Sequence, residues 1–361
     1  MQRKMLVWRE HMFDIVRWVY FLETRIQEPF YSFIIYIYNG FVRRRNGIQR
    51  VSNGKEYTDK VFYLIELNDT AIGLASFYDK VLGAVKYADK KNYIPVVNIT
   101  DTQVLGAVKY ANKKNYIPVV NITNTQSNIV DPERGGNGWE YYFSGIETDG
   151  QVYSLKDLTN AQNVVLADPS CITLYKRYSI HEIERRNKIC CRIQYNKDTA
   201  SYIEKAEKDL LHEDKTIGVY YRGTDYRKRG NWNPVGHPKV LGINDFWQEV
   251  QCFSKEVHCC NVFLVTEEQE AVDYILSNSA NLNVEYVRKK RFSDFDYSDS
   301  ISTMTPAGVS KYENNLLYLL DVDMLSKCDF LFGAFCSGVQ MALNMNGNRY
   351  EKVHIVDIGR N

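Results

Sequence analysis

Over the second half of the chain, short apolar runs alternate with stretches of helical period, and few folds satisfy that pattern. TIGVYYR (Thr216 to Arg222), NVFLVTE (Asn261 to Glu267), VEYVR (Val284 to Arg288), DFLFGA (Asp329 to Ala334) and VHIVDI (Val353 to Ile358) read as strands. Helical patterns at 244–259, 268–279, 311–327 and 338–346 separate them. Strands joined through helices run parallel, because a parallel pair needs a long crossover, and the crossovers cover the sheet on both faces. A doubly wound α/β unit is therefore expected, with ligands meeting the carboxyl ends of its strands.

An earlier series repeats the theme. VFYLIEL (Val61 to Leu67) reads as a buried strand, VLGAVKYADKKN (Val81 to Asn92) as a helix and YIPVVNI (Tyr93 to Ile99) as the next strand. NGWEYYF (Asn137 to Phe143) is expected to be helical and NVVLAD (Asn163 to Asp168) a strand. At 361 residues the chain exceeds what one core usually supports. The expected fold class is α/β, with two Rossmann-like domains and an N-terminal helical segment. The expected division is a helical segment over 1–50, a first Rossmann-like domain over 51–170, a helical connector over 171–211 and a second Rossmann-like domain over 212–361.

Residues 81–103 recur at once as 104–126, differing only at Asp89 against Asn112 and Asp101 against Asn124. Two copies are too few for a solenoid, so a tandem duplication of one helix–strand unit is the reading. One copy should take the ordinary place in the sheet and the other a peripheral one.

Before Val61, the run FYSFIIYIYNGF (Phe30 to Phe41) is too short to span a bilayer, which needs about 20 residues. Arg43, Arg44 and Arg45 follow it. Two readings stand: a helix packed on the protein's own core, or peripheral contact at the inner face of the plasma membrane. Charged residues interrupt every early apolar run, so no signal peptide is expected. None of the eight cysteines forms a C-x-x-C pair, which favours a reducing, cytoplasmic setting. A formal net charge of +1 argues against a nucleic-acid partner.

Chemistry concentrates at predicted strand ends. In YRGTDY (Tyr221 to Tyr226), Arg222 offers a planar fork of donors suited to phosphate, and Gly223 lets the backbone turn. An Arg so placed can neutralise a departing diphosphate without a divalent ion; its bland alternative is a surface ion pair. In VTEE (Val265 to Glu268), Glu267 can accept from ribose hydroxyls or guanine, and Glu268 reads as a helix N-terminal acid. In GAFCSG (Gly333 to Gly338), Ser337 either caps the following helix or stands beside amides that bind phosphate. His237, in GHP, either touches a sugar or acts as a base. DVD (Asp321 to Asp323) falls inside a helix pattern, so no metal site is expected there.

Taken as a set, FYDKVLGAVKYADKKNYIPVV, WEYYF, YRGTDY, GHP, FLVTEE, CDFLFGAFCSG and VHIVDIGR resemble the bacterial fucosyltransferase-like family related to nodulation and core α-1,6-fucosyltransferases, over roughly residues 60–361. The resemblance implies a GT-B-like fold, an inverting mechanism, no cofactor or metal, and GDP-fucose as nucleotide-sugar donor. The implied acceptor is a cell-surface glycan or its lipid-linked precursor, in polysaccharide biosynthesis. It places Arg222 on the donor β-phosphate, Glu267 at the guanine and Ser337 on phosphate, with Tyr220, Gly223, Thr224, Thr266 and Gly338 completing the donor site. This sequence departs from the family at Tyr220, where relatives carry a base-contacting His, and at Gly223, where they carry a second Arg. It also has no acidic residue between Tyr226 and His237, which leaves Asp225 and His237 as candidate bases. Transfer from another GDP- or UDP-sugar, or nucleotide binding without catalysis, are the competing readings.

Overall fold

The computed structural model describes residues 49–66, 73–91, 94–99, 120–122, 128–148, 151–153, 155–166, 180–211, 214–226, 238–293, 301 and 304–359. The expected helical segment therefore lies outside the described residues, except that Gln49–Val51 forms strand β1. His237 also lies outside them.

The first half continues with β2 (Phe62–Glu66), α1 (Leu74–Lys91), β3 (Ile94–Ile99) and β4 (Val120–Ile122). Next come β5 (Phe143–Thr148), β6 (Gln151–Val152), α2 (Leu155–Asn160) and β7 (Val164–Leu166). The first sheet has the order β1-β7-β2-β3-β4, with β1 antiparallel and the rest parallel. Helix α1 begins seven residues earlier than expected, because Leu74, Phe77, Tyr78, Val81, Leu82 and Val85 form one continuous buried stripe at helical spacing.

The duplicated strand pairs with its own copy. Val97 lies opposite Val120, Asn98 opposite Asn121 and Ile99 opposite Ile122, each 23 positions apart. The second copy thus adds at the edge of the sheet, as anticipated for the peripheral unit. Its helix falls outside the described residues. Deleting 104–126 should leave β3 as the edge strand and the protein folded. We expect a single cooperative thermal transition with a midpoint no lower than that of the full chain. Loss of cooperative unfolding would show that the second unit is structurally required.

NGWEYYF is not helical. The Asn137 side chain accepts from the Trp139 amide, closing a turn that competes with helix formation, and β5 starts at Phe143. Trp139 stacks on Phe143 at 4.1 Å between ring centroids. The expected helical connector contains α3 (Ile180–Cys190), then strand β8 (Ile193–Tyr195), then α4 (Lys197–Leu210), whose Asn196 N-cap accepts from the Thr199 amide. Strand β8 joins β5 and β6 in a three-stranded antiparallel sheet, a pairing no local period reveals.

The second half holds β9 (Thr216–Tyr220), α5 (Ile243–Val257), β10 (Asn261–Val265), α6 (Gln269–Ser277) and β11 (Asn283–Glu285). It ends with α7 (Lys311–Lys327), β12 (Phe330–Ala334), α8 (Ser337–Asn346) and β13 (Lys352–Val356). All five strands are parallel, in the order β11-β10-β9-β12-β13. That is the doubly wound arrangement, with its switch point between β9 and β12.

Side chains alternate across this sheet as the pleat requires. Ile217, Val219, Val262, Leu264, Phe330 and Phe332 pack with α5 and α6. Tyr220, Phe263, Val265 and Leu331 face the opposite way, into a core shared with α7, α8, α1 and α3. Buried Arg186 of α3 reinforces that junction through Asp79 of α1 at 2.6 Å. At the other end of α7, Asn315 donates to the Asn128 carbonyl and Tyr142 donates to the Tyr312 carbonyl. Helix α7 therefore ties the loops of the first half to the second sheet.

Candidate active site

At the switch point the chains leaving β9 and β12 turn to opposite faces of the sheet, which opens a crevice at their carboxyl ends. Arg222 lies two residues past the end of β9 and is 8% exposed. Its Nη1 donates to the Thr224 hydroxyl at 2.8 Å and stands 3.6 Å from Glu267 Oε2. The guanidinium carbon lies 4.6 Å from the centre of the Tyr226 ring, a cation–π distance. The bland alternative, an exposed ion pair, does not describe it. The guanidinium is held on three sides.

The turn carrying Arg222 is anchored from β10. Glu268 is the N-cap residue of α6, yet its side chain makes no capping bond. Its carboxylate instead accepts from the Thr224 amide. A Cβ on Gly223 would lie 2.4 Å from Glu268 Oε1, so glycine is required by the close approach. Thr224 has φ +42°, a left-handed conformation costly for a β-branched residue. The Glu268 bond, and that of the Tyr226 amide to the Gly223 carbonyl, hold it there. This orientation brings the Thr224 hydroxyl within reach of Arg222. Asp225 is the middle residue of the short 3-10 turn Thr224–Tyr226.

Glu267 comes to the same place from the end of β10. Its Oε1 accepts from the Tyr220 phenol at 2.6 Å. Burial first, then the neighbouring Glu267 carboxylate, pushes the Tyr220 phenol well above its usual range, so it remains a donor. Tyr220 is buried and engaged with Glu267. Thr266 is fully buried as well; its hydroxyl accepts from the Glu268 amide and its carbonyl from Arg291.

The third wall is the start of α8. The N-cap is Cys336, not Ser337, which is the first helical residue, and no side chain caps the helix. The displacement by one residue follows from the extended backbone of Cys336. Burial pushes the Cys336 thiol up to about 11, so it is neutral. Gly338 packs where a Cβ would meet Tyr220 at 2.5 Å and the Tyr318 hydroxyl at 2.7 Å. The α8 amides therefore sit directly beside the Tyr220–Glu267–Arg222 chain.

Beneath this lies a charged layer that periodicity did not reveal. Buried Arg291 donates to the carbonyls of Thr266, Lys289 and Val287. Lys289 pairs with Asp321 of α7, which has no exposure. Asp323 pairs elsewhere, with the Tyr195 phenol and Lys327. The DVD carboxylates are thus helical, as expected, and point to separate partners. No group of three His, Cys, Asp or Glu side chains arranged for a metal ion occurs among the described residues, nor does a helix long and apolar enough to cross a membrane.

No protein-family model and no curated protein sequence matches the chain. Among solved structures it is similar to NodZ α-1,6-fucosyltransferase soaked with GDP-fucose, at 12% identity over 79% of this chain and 92% of that one, with a TM-score of 0.48. Fucosyltransferase NodZ from Bradyrhizobium matches at 12% identity over the same shares, with a TM-score of 0.47. POFUT1 in complex with GDP-fucose matches at 8% identity over 85% of this chain and all of that one, with a TM-score of 0.45. With TM-scores below 0.5, none of the three likenesses assigns a role to a residue here.

Proposed function

We propose that the chain is an inverting, metal-independent fucosyltransferase that takes fucose from GDP-fucose and delivers it to a cell-surface glycan or its lipid-linked precursor in the cytoplasm. The observation that carries this reading is the buried Arg222 at the end of β9, at the switch point and beside the α8 amides. The motif set that resembles the fucosyltransferase-like family supplies the donor.

In transfer, the bond between the sugar C1 and the β-phosphate oxygen breaks, and the acceptor oxygen bonds to C1 from the opposite face. The acceptor proton passes to a base, for which Asp225 and His237 are the candidates, and GDP departs with the bonding pair. Charge grows on the β-phosphate as the bond lengthens. A preorganised guanidinium and helix-terminal amides stabilise that charge more than the ground state, which is what catalysis requires. Ser337, the first residue of α8, would contact that phosphate in this reading. A membrane-peripheral role for residues 1–50 belongs to the same reading, with a lipid-linked acceptor.

Arg222 already has internal partners, and this favours a second reading, nucleotide binding without transfer. Calorimetric titration with GDP against UDP, followed by a GDP-fucose turnover assay with no added metal, separates the two. We expect GDP to bind at least tenfold more tightly than UDP and fucose to be released. GDP binding without release would leave the nucleotide-binding reading. Preference for UDP would move the donor to another sugar nucleotide.

A further inference from the structure

We infer that Glu267 is a latch on Arg222, a positioning residue that competes with donor pyrophosphate for the guanidinium and does not read the nucleotide base; this rests on the donor-phosphate reading of Arg222. A carboxylate that reads guanine must turn both oxygens outward, to face the N1–H and N2–H₂ donors together. Glu267 turns both inward. Oε1 accepts from the Tyr220 phenol at 2.6 Å, and Oε2 is buried without a hydrogen-bond donor, facing Arg222 Nη1 at 3.6 Å. The side chain is 13% exposed.

The surroundings do not let it swing out cheaply. Its backbone carbonyl accepts from the Phe292 amide, which fixes the strand end, and the following residue is clamped through its own carboxylate to Thr224. Among the described residues, acidic groups stand beside each nearby cation: Glu267 faces Arg222, and Asp321 pairs with Lys289 close to Arg291. A pyrophosphate that reaches Arg222 therefore takes it from Glu267, while the Tyr226 ring keeps its contact with the guanidinium during the exchange. The latch holds the guanidinium in an ordered position before donor arrives, and it releases the guanidinium only to a ligand carrying more negative charge than one carboxylate.

The two roles predict opposite signs for one substitution. Glu267→Gln keeps an acceptor for Tyr220 and removes the charge that holds Arg222. Calorimetry on the full chain would use GDP, guanosine and inorganic pyrophosphate in turn. The latch predicts that Glu267→Gln binds GDP and pyrophosphate about fivefold or more tightly than wild type, with guanosine unchanged. Base reading predicts weaker GDP and guanosine binding with pyrophosphate unchanged. A merely structural role predicts no gain for any ligand. Glu267→Asp, one methylene shorter, should give a smaller gain of the same sign and serves if the Gln variant does not fold. If wild type ignores GDP while the substitution still tightens pyrophosphate, the donor reading falls and the latch stands. If pyrophosphate binding does not tighten, the latch is overturned whatever GDP does.

Discussion

Arg222→Ala should lower kcat/KM for fucosyl transfer by about a thousandfold or more, the range seen when a preorganised donor to a developing anion is removed. The buried setting complicates the test, because the same truncation strands the Glu267 carboxylate 3.6 Å from where the guanidinium was. Breaking a largely buried pair from one side costs about 3–5 kcal/mol, so part of the lost activity would come from a loosened turn. The double variant Arg222→Ala/Glu267→Gln resolves this. It should recover the thermal midpoint of wild type and remain inactive. Arg222→Lys should fall between, since it keeps the charge but loses the planar fork and the face-on contact with Tyr226. Full activity in the Ala variant, or recovery of activity in the double variant, would remove Arg222 from the chemistry.

The strands of the second sheet were legible because each is an apolar run cut off by polar residues, and the helices between them carry their own period. Their order was not legible. Alternation predicts parallel strands, while the reversal between β9 and β12 that opens the crevice is a property of the assembled sheet. Ile193–Tyr195 shows the limit more sharply: three residues between two helices become a strand only because Phe143–Ile146 lies alongside. The same holds within the site. Arg222 and Glu267 were placed at the correct strand ends by local pattern. That Glu267 binds Tyr220, 47 positions away, and that Lys289 binds Asp321, 32 positions away, are contacts of the fold alone. The basic run Arg288 to Arg291 was a signal that could have pointed to buried carboxylates nearby.

Gly223 illustrates how a departure from a family pattern acquires a cause. Where the resemblance would place a second arginine, the space around this backbone is filled by the Glu268 carboxylate, at 2.4 Å from any Cβ. The carboxylate cannot share that space with a side chain. It also holds Thr224 in its left-handed conformation and so sets the hydroxyl that Arg222 donates to. Here one arginine is held by Thr224, itself fixed by the neighbouring Glu268 carboxylate. The same contact explains why Glu268, a plain helix N-terminal acid by sequence, leaves its own helix uncapped.

Asp321→Ala should be strongly destabilising although it touches no part of the proposed donor site. It leaves Lys289, whose side chain is 8% exposed, without its carboxylate and close to the buried Arg291. Breaking such a pair from one side costs about 3–5 kcal/mol, and at about 2–4 °C per kcal/mol the midpoint should drop by roughly 10 °C. Removing the other partner has a different signature. Burial already holds the Asp321 carboxyl above its usual value, opposed by Lys289 and Arg291. Without Lys289 it rises further, so the folded state of Lys289→Met binds a proton that the unfolded state releases. Its stability is then fully present below the unfolded carboxyl value and declines as pH rises through the folded one. Melting curves at pH 4.5 and pH 8 should show Lys289→Met losing ground on wild type as pH rises, while the deficit of Asp321→Ala shows no such gain in acid. The double change Asp321→Leu/Lys289→Met should recover most of the loss at both pH values, because an apolar pair of similar size carries no desolvation cost. A midpoint for Asp321→Ala within a degree or two of wild type would mean that the charged layer contributes nothing to holding α7 beneath the site.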